Sequence, residues 1–322
     1  MSERRLQRDI LSLLLEAFPR SVSGERIAEL SGVSRVAVWK AVRELKARGF
    51  PIASSHDGYR LLTLPDVFDP DFLEPYLAQE VQGIRVVFEE EVESTNSRLK
   101  TLAEEDAPEK TLCITERQTK GRGRRGRSWF SLPGKSLTFS LLLRPRLPLG
   151  VCPVVALLAG LALAEALEDL GFVATLKWPN DVLLGGKKVA GVLLETATDL
   201  DEVPWMVLGV GVNVNLEERD LLPLPFVATS LQVERGAPVP RIAVLRRFLV
   251  HFFAHYEKWR DSQDFTPWVA EYNRRFAFLG KQVTIAGGKE SLFGIARGVD
   301  AQGALRVEKD GEEVPVTWGE IA

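Results

Sequence analysis

The sequence predicts an α+β chain in three parts: a winged helix-turn-helix at the N-terminus, a mixed α/β domain in the middle and a small β-barrel at the end. Three observations carry this reading. Helical periods flank a glycine-containing turn before residue 50. Between 86 and about 261, short β-branched runs mix with three helical periods. From 274 onward the helical period gives way to alternating runs around glycine turns. At 322 residues and 45% apolar, the chain exceeds the ~100–200 residues of one domain and can build more than one core.

Taken in order, residues 4–18 place Leu6, Ile10, Leu13, Leu14 and Ala17 at helical spacing, and a second run covers Ile27 to Leu30. After the turn Ser31-Gly32-Val33, Ser34 is a good N-cap for a third helix, Arg35 to Arg48, closed by Gly49. A hairpin turning at His56-Asp57-Gly58 completes a winged unit over 1–64. A small helical bundle with a solvated basic face is the alternative, and DNA binding is the favoured reading. The stretch 65–85, with proline and acid from Pro65 to Pro75, reads as a linker.

The central domain, 86–273, carries strand-like runs at Val86–Phe88, Leu112–Glu116, Ser136–Leu143, Val173–Lys177, Val189–Thr196 and Val207–Asn215, with helices at 95–105, 153–170 and 241–260. In 274–322, Gln282–Ile285, Leu292–Gly298, Ala304–Glu308 and Glu313–Thr317 alternate around turns at Gly287-Gly288, Asp300 to Gly303 and Asp310-Gly311, which predicts the barrel.

Composition narrows the function classes. Cys113 and Cys152 lack CxxC or Cys/His spacing, so neither a disulfide framework nor a zinc site is expected, and a reducing cytoplasm fits. The start MSERRLQRDI does not read as a signal peptide. Leu147 to Ala164 is uncharged, but Pro148, Gly150 and Pro153 make it a buried helix rather than a membrane span. Net charge is −3, yet residues 1–64 hold eleven Lys/Arg against seven Asp/Glu, which points to an anionic partner for that end.

Gly121 to Arg127 packs three glycines and four arginines into seven positions. Glycines let backbone N–H groups approach an anion, and arginines add bidentate contacts, so a phosphate-bearing ligand is expected there. Four clustered cations repel one another, so the empty loop is expected to be disordered. It approaches the P-loop pattern, but it follows Glu116-Arg117-Gln118 and runs into Trp129-Phe130 rather than into a long helix. A solvated nucleic-acid-binding stretch is the other alternative. Lys177-Trp178-Pro179-Asn180-Asp181 and Gly185 to Gly191 read as strand, turn, strand, with the choice between a polar site and a plain surface hairpin left open. Gly209-Val-Gly211-Val-Asn213-Val-Asn215 lacks the third glycine and following helix of a dinucleotide fingerprint. His251 and His255 lack the HExxH context and read as helix packing, with no metal site expected.

In order along the chain, SGERIAELSGVSRVAVWKAVREL, ESTN at 93–96, QTKGRGRRGRSW at 118–129, KWPNDVLL at 177–184, KKVAGVLLE at 187–195, GVGVNVN and GIARGVDAQGALRVEKDG resemble the biotin protein ligases of the bifunctional bacterial type that also repress biotin genes. Lipoate ligases share the catalytic fold but lack the glycine-arginine loop. The resemblance implies a biotin/lipoate ligase-type catalytic domain, an SH3-like C-terminal barrel, and a reaction in which biotin and Mg-ATP give biotinyl-5′-AMP before the acyl group passes to a lysine of a biotin carboxyl carrier protein. The Met-Lys-Met carrier signature is absent from the chain, whose methionines are Met1 and Met206, so the acceptor is a separate protein.

Position by position, the resemblance implies biotin contacts at Ser94, Thr95, Asn96, Gln118, Arg122, Gly123, Arg124 and Lys188. It implies ATP or adenylate contacts at Gly121, Arg122, Gly123, Arg124, Arg127, Trp129 and Asn213. Lys188, Arg124 and Asp181 are the expected catalytic residues, with Asp181 orienting the incoming lysine. Gly24, Ser34, Arg35, Ala37, Val38, Lys40 and Arg43 are the expected contacts to a biotin operator, bound by a liganded homodimer. At the wing tip, Asp57 stands where relatives place a lysine, which implies a weaker or differently footed operator contact.

Overall fold

The computed structural model describes residues 3–197, 202–287 and 291–322. The chain gathers into two compact units, Met1–Phe88 with Pro240–Ile242, and Glu89–Val239 with Ala243–Ala322.

The first unit is the winged helix-turn-helix. Helix α1 (Glu3–Ala17) buries Leu6, Ile10, Leu11 and Leu14. Helix α2 (Gly24–Ser31) starts at Ser23, whose side chain accepts from Arg26 N, and ends at Gly32 with φ 63°. Helix α3 (Arg35–Ala47) is capped by Ser34, whose Oγ accepts from Ala37 N at 3.2 Å. Strands β1 (Ile52–Ser55) and β2 (Gly58–Leu61) pair from Ile52↔Leu61 to Ser55↔Gly58. The turn proper is thus His56-Asp57, and Gly58, at φ 119°, opens the second strand.

The stretch read as a linker holds a helix, α4 (Pro70–Ala78). Its proline and acids are a helix start: Asp69 caps Asp71 N at 2.9 Å and Pro70 takes the first turn. The helix buries Phe72, Leu73, Tyr76 and Leu77, with Phe72 edge-on to Phe50 at 5.7 Å.

The second unit is built on a seven-stranded sheet of order β3-β4-β5-β9-β8-β7-β6. Its elements run β3 (Arg85–Val92), α5 (Thr95–Glu104), β4 (Thr111–Gln118), β5 (Ser136–Leu143), α6 (Val154–Glu168), β6 (Ala174–Lys177), β7 (Asp181–Leu184), β8 (Lys187–Thr196), β9 (Met206–Asn213), α7 (Glu218–Leu221), α8 (Leu231–Arg235), α9 (Arg241–Ser262) and α10 (Thr266–Arg275). From β4 to β6 every pairing is antiparallel. Helix α5 covers β4, β5 and β9 on one face. On the other face Phe139 of β5 meets Phe248 of α9 at 5.4 Å. Leu149–Glu168 is long and apolar enough to cross a membrane, but α6 is buried nearly all round, as a core helix is. His251 and His255 of α9 engage Glu165 and Asp169, and His255 Nδ1 accepts from Trp268 Nε1 at 3.0 Å.

Strands β10 (Gln282–Ala286), β11 (Leu292–Val299), β12 (Leu305–Lys309), β13 (Glu312–Val316) and β14 (Glu320–Ile321) form a five-stranded antiparallel sheet of order β13-β12-β11-β10-β14. The expected turn at Asp310-Gly311 is present, with both residues at positive φ. Gly288 of the other expected turn lies outside the described residues.

Candidate active site

The sheet register lines the site. Thr115, Thr138, Gly211, Gly191 and Asp181 are direct partners across β4, β5, β9, β8 and β7. Directly paired residues share a face, so these five point to one side. Ser140, Gly209 and Leu193 form the next row, and Ser136 with Asn213 the row on the other side. The sequence Gly-Val-Gly-Val-Asn over 209–213 is therefore a strand pattern of period two: Val210 and Val212 are buried toward α9, while the glycines leave the opposite face bare. A Cβ on Gly209 would stand 2.3 Å from Asn96 Oδ1, and one on Gly211 2.2 Å from the Trp129 indole. Side chains from elsewhere lie directly on this glycine floor.

At one end, Ser94, Thr95 and Asn96 begin α5 and are all buried. Thr95 donates to Gln118 Oε1 through its backbone N–H (2.8 Å) and its hydroxyl (3.1 Å). Ser140 Oγ lies 2.7 Å from Thr95 Oγ1 and 2.5 Å from Asn96 Oδ1. Asn96 Nδ2 donates to Glu195 Oε2 at 2.7 Å. Glu195 also takes Lys100 Nζ at 2.6 Å and Arg122 Nη2 at 3.1 Å. Partial burial pushes its pKa up, but the bonds from Lys100 and Asn96 together with the nearby cations outweigh this and hold the carboxyl below its ordinary value.

The glycine-arginine loop is ordered by its own backbone. Gly123 N donates to Arg127 O at 2.7 Å and Trp129 N to Gly121 O at 2.9 Å. Gly121 is required by that closure, since a Cβ there would sit 2.3 Å from Trp129 O. Gly123 meets only ordinary contacts from 3.5 Å outward, so the loop's own packing does not demand glycine at that position. The four arginines point to separate partners, which offsets the repulsion expected among them. Arg122 pairs with Glu195, Arg124 reaches Asn180 Oδ1 at 3.4 Å, Arg125 donates to the carbonyls of Ala286 and Gly287, and Arg127 pairs with Glu320. Burial lowers the pKa of Arg124.

Lys188 reaches the site through a bulge. The β7–β8 register passes from Val182↔Ala190 to Leu183↔Lys188, which leaves Val189 as an extra residue on β8. Lys188 is thereby turned to the side of Gly191, and its ammonium stands 2.7 Å from Asp181 Oδ1. The rings of Phe226 and Trp129 lie 5.3 and 5.9 Å from the same nitrogen. Backbone bonds from Lys188 N to Val227 O and from Thr229 N to Lys188 O hold the strand in place. Lys188, Asp181, Phe226, Trp129 and Val227 border a cavity of about 320 Å³ that Gly123, Arg124, Asn180 and Gly191 also line. Beside it, Asn213, Trp129, Leu224, Pro225 and Phe226 line a second recess. Asn213 Nδ2 donates to Thr229 O at 3.0 Å, and the buried Trp129 Nε1 has no hydrogen-bond partner among the described residues.

The sequence matches the biotin/lipoate A/B protein ligase family over 88–213, an HTH domain over 6–60 and the biotin protein ligase C-terminal domain over 278–322. It is 33% identical to the bifunctional ligase/repressor BirA of Bacillus subtilis across 94% of each chain, and 31% identical to that of Escherichia coli across 93% of this chain and 92% of the relative. The chain belongs to the bifunctional biotin ligase/repressor family. The biotin protein ligase of Aquifex aeolicus, solved in complex with biotin and ATP, superposes on 74% of this ligase and 97% of its own chain, with a TM-score of 0.63 and 31% identity.

Of the expected ligand contacts in this biotin ligase, the fold brings Thr95, Asn96 and Gln118 into one bonded cluster next to the buried Ser94, and Arg124, Asp181 and Lys188 around one cavity. Sequence reasoning missed Ser140, Asn180, Glu195 and Phe226. The polar alternation Ser136-Leu-Thr138-Phe-Ser140 inside an apolar strand was the available signal. In the winged unit, Arg35, Lys40 and Arg43 are exposed. Val38 is fully buried in the core of that unit, so it cannot contact DNA as expected. Gly24 lies against Tyr59, and Ser34 is engaged as a cap.

Proposed function

We propose that this ligase activates biotin as biotinyl-5′-AMP on the glycine floor and transfers the acyl group to a lysine of a biotin carboxyl carrier protein, in the cytoplasm. The observation that carries the reading is the convergence of Lys188, Asp181 and Arg124 on one cavity beside the Asn96 cluster. A carboxylate oxygen of biotin attacks the α-phosphorus of ATP and pyrophosphate leaves. The lysine amine of the carrier then attacks the acyl carbon and AMP leaves. The polar cluster of Thr95, Asn96, Gln118 and Ser140 offers donors and acceptors suited to a ureido ring. Arg122, Arg124 and Lys188 supply positive charge where the carboxylate and phosphate meet, which favours the transition state over the separated anions. Trp129 Nε1, without a partner among the described residues, and Asn213 beside the second recess suit an adenine ring. Magnesium would enter on the ATP phosphates, where it would neutralise charge.

The winged helix-turn-helix binds operator DNA upstream of biotin genes as a homodimer, with biotinyl-5′-AMP as corepressor. Biotin-dependent exchange of pyrophosphate into ATP tests the catalytic reading. Wild type should exchange with biotin and not with lipoate, and Lys188→Ala should lose about 10²-fold or more. Normal exchange by Lys188→Ala would remove Lys188 from the chemistry.

A further inference from the structure

We propose that Trp39 and Val36, which no sequence motif assigned a role, read thymine methyl groups in the major groove, and that Trp39 also holds Arg43 ready for a base or phosphate. Helix α3 has two unlike faces. Val38, Ala41, Val42 and Leu45 fill the core, and the outer face carries Val36, Trp39, Lys40 and Arg43 at spacings of three, four and seven. Trp39 is 51% exposed and Val36 63%, a large apolar area left in water on a helix whose core face is already complete. The Arg43 guanidinium lies 5.0 Å over the Trp39 ring, which orders a flexible cation before any ligand arrives.

Charge selects the occupant. Arg35, Lys40, Arg43 and Lys46 are exposed along α3, and its one acid, Glu44, is bonded to Gln7 Nε2 at 2.7 Å. A polyanion with an apolar group at its readable edge fits this face, and in duplex DNA that group is the thymine 5-methyl. The inference rests on the operator-binding reading above and makes it specific, because cations along α3 supply affinity for any sequence whereas an apolar pair can distinguish thymine from the other bases.

The test uses the full chain with biotinyl-5′-AMP and the DNA upstream of the biotin genes, prepared with thymine and again with deoxyuridine, which lacks only the methyl. Wild type should bind the deoxyuridine fragment about tenfold more weakly. Trp39→Ala should bind the thymine fragment about tenfold more weakly and be indifferent to the methyl, while Trp39→Phe should restore the preference. Thermal unfolding of each variant separates a folding defect from a readout defect. Equal binding of both fragments by wild type, or an unaltered methyl preference in Trp39→Ala, overturns the inference. Should wild type bind neither fragment, the operator reading itself fails and this one falls with it. A change in oligomeric state without a change in methyl preference would assign the face to protein contact instead.

Discussion

Lys188 and Asp181 form one device rather than two residues. Their 2.7 Å contact holds the ammonium at the cavity where the proposed reaction redistributes charge, and the same carboxylate lines the cavity that an incoming lysine would enter on that reading. An ordinary lysine with a pKa of ~10.4 is only about one part in a thousand neutral near neutral pH, so transfer needs a group that takes the proton. If Asp181 does this, Asp181→Asn should slow acyl transfer from preformed biotinyl-5′-AMP by about 10²-fold or more while adenylate formation falls far less. If instead Asp181 only anchors Lys188, both half-reactions should drop together. Single-turnover measurement of each half-reaction decides between them. The sequence places the two residues seven apart but hides why they meet, because the bulge at Val189 that turns Lys188 to the site face is a property of the β7–β8 register.

At the scale of elements, the strands were readable wherever alternation or β-branching was strong, and the extent of β5 was read without error. The glycines of β9 were visible too, but a strand pattern of Gly-Val-Gly-Val became a bare floor only once its partners on β5 and β8 were known. Helices α4 and α10 were missed for a different reason. Each carries in its first turn a proline, Pro70 or Pro267, that also reads as a breaker, and only packing decides the matter. Helix α10 is in addition held by charge. Hydrogen bonds from Arg274 first, with Arg275 adding to them against partial burial, bring the Glu271 carboxyl down to about 2. The folded-state pKa is depressed, so the stabilisation is complete above the ordinary value of 4.5 and is lost as pH falls from there toward about 2. Glu271→Gln should therefore be less stable than wild type near neutral pH, with the gap closing across that window. Urea unfolding at a series of pH values measures it, and a gap independent of pH would show that the loss is one of packing.

At the scale of the whole molecule, the sequence told that a basic winged unit precedes an acidic catalytic one, because net charge needs no fold to be counted. What charge cannot tell is whether DNA binding responds to the adenylate. A helix-turn-helix reads a half-site, and a repressor of this kind gains useful affinity by presenting two of them at the spacing of its own twofold axis. If biotinyl-5′-AMP favours the dimer, linkage requires that operator DNA and the adenylate strengthen each other's binding. Sedimentation velocity should then show the dimer fraction rising with biotinyl-5′-AMP, and gel shifts should show operator affinity rising in parallel. That affinity should fall with salt according to the phosphates neutralised by each copy. A monomer that binds this DNA equally with and without the adenylate would instead be a biotin ligase whose winged helix no longer regulates transcription, and the exposed acid at the wing tip, Asp57 paired with His56 at 3.0 Å, is the first place to look for the cause.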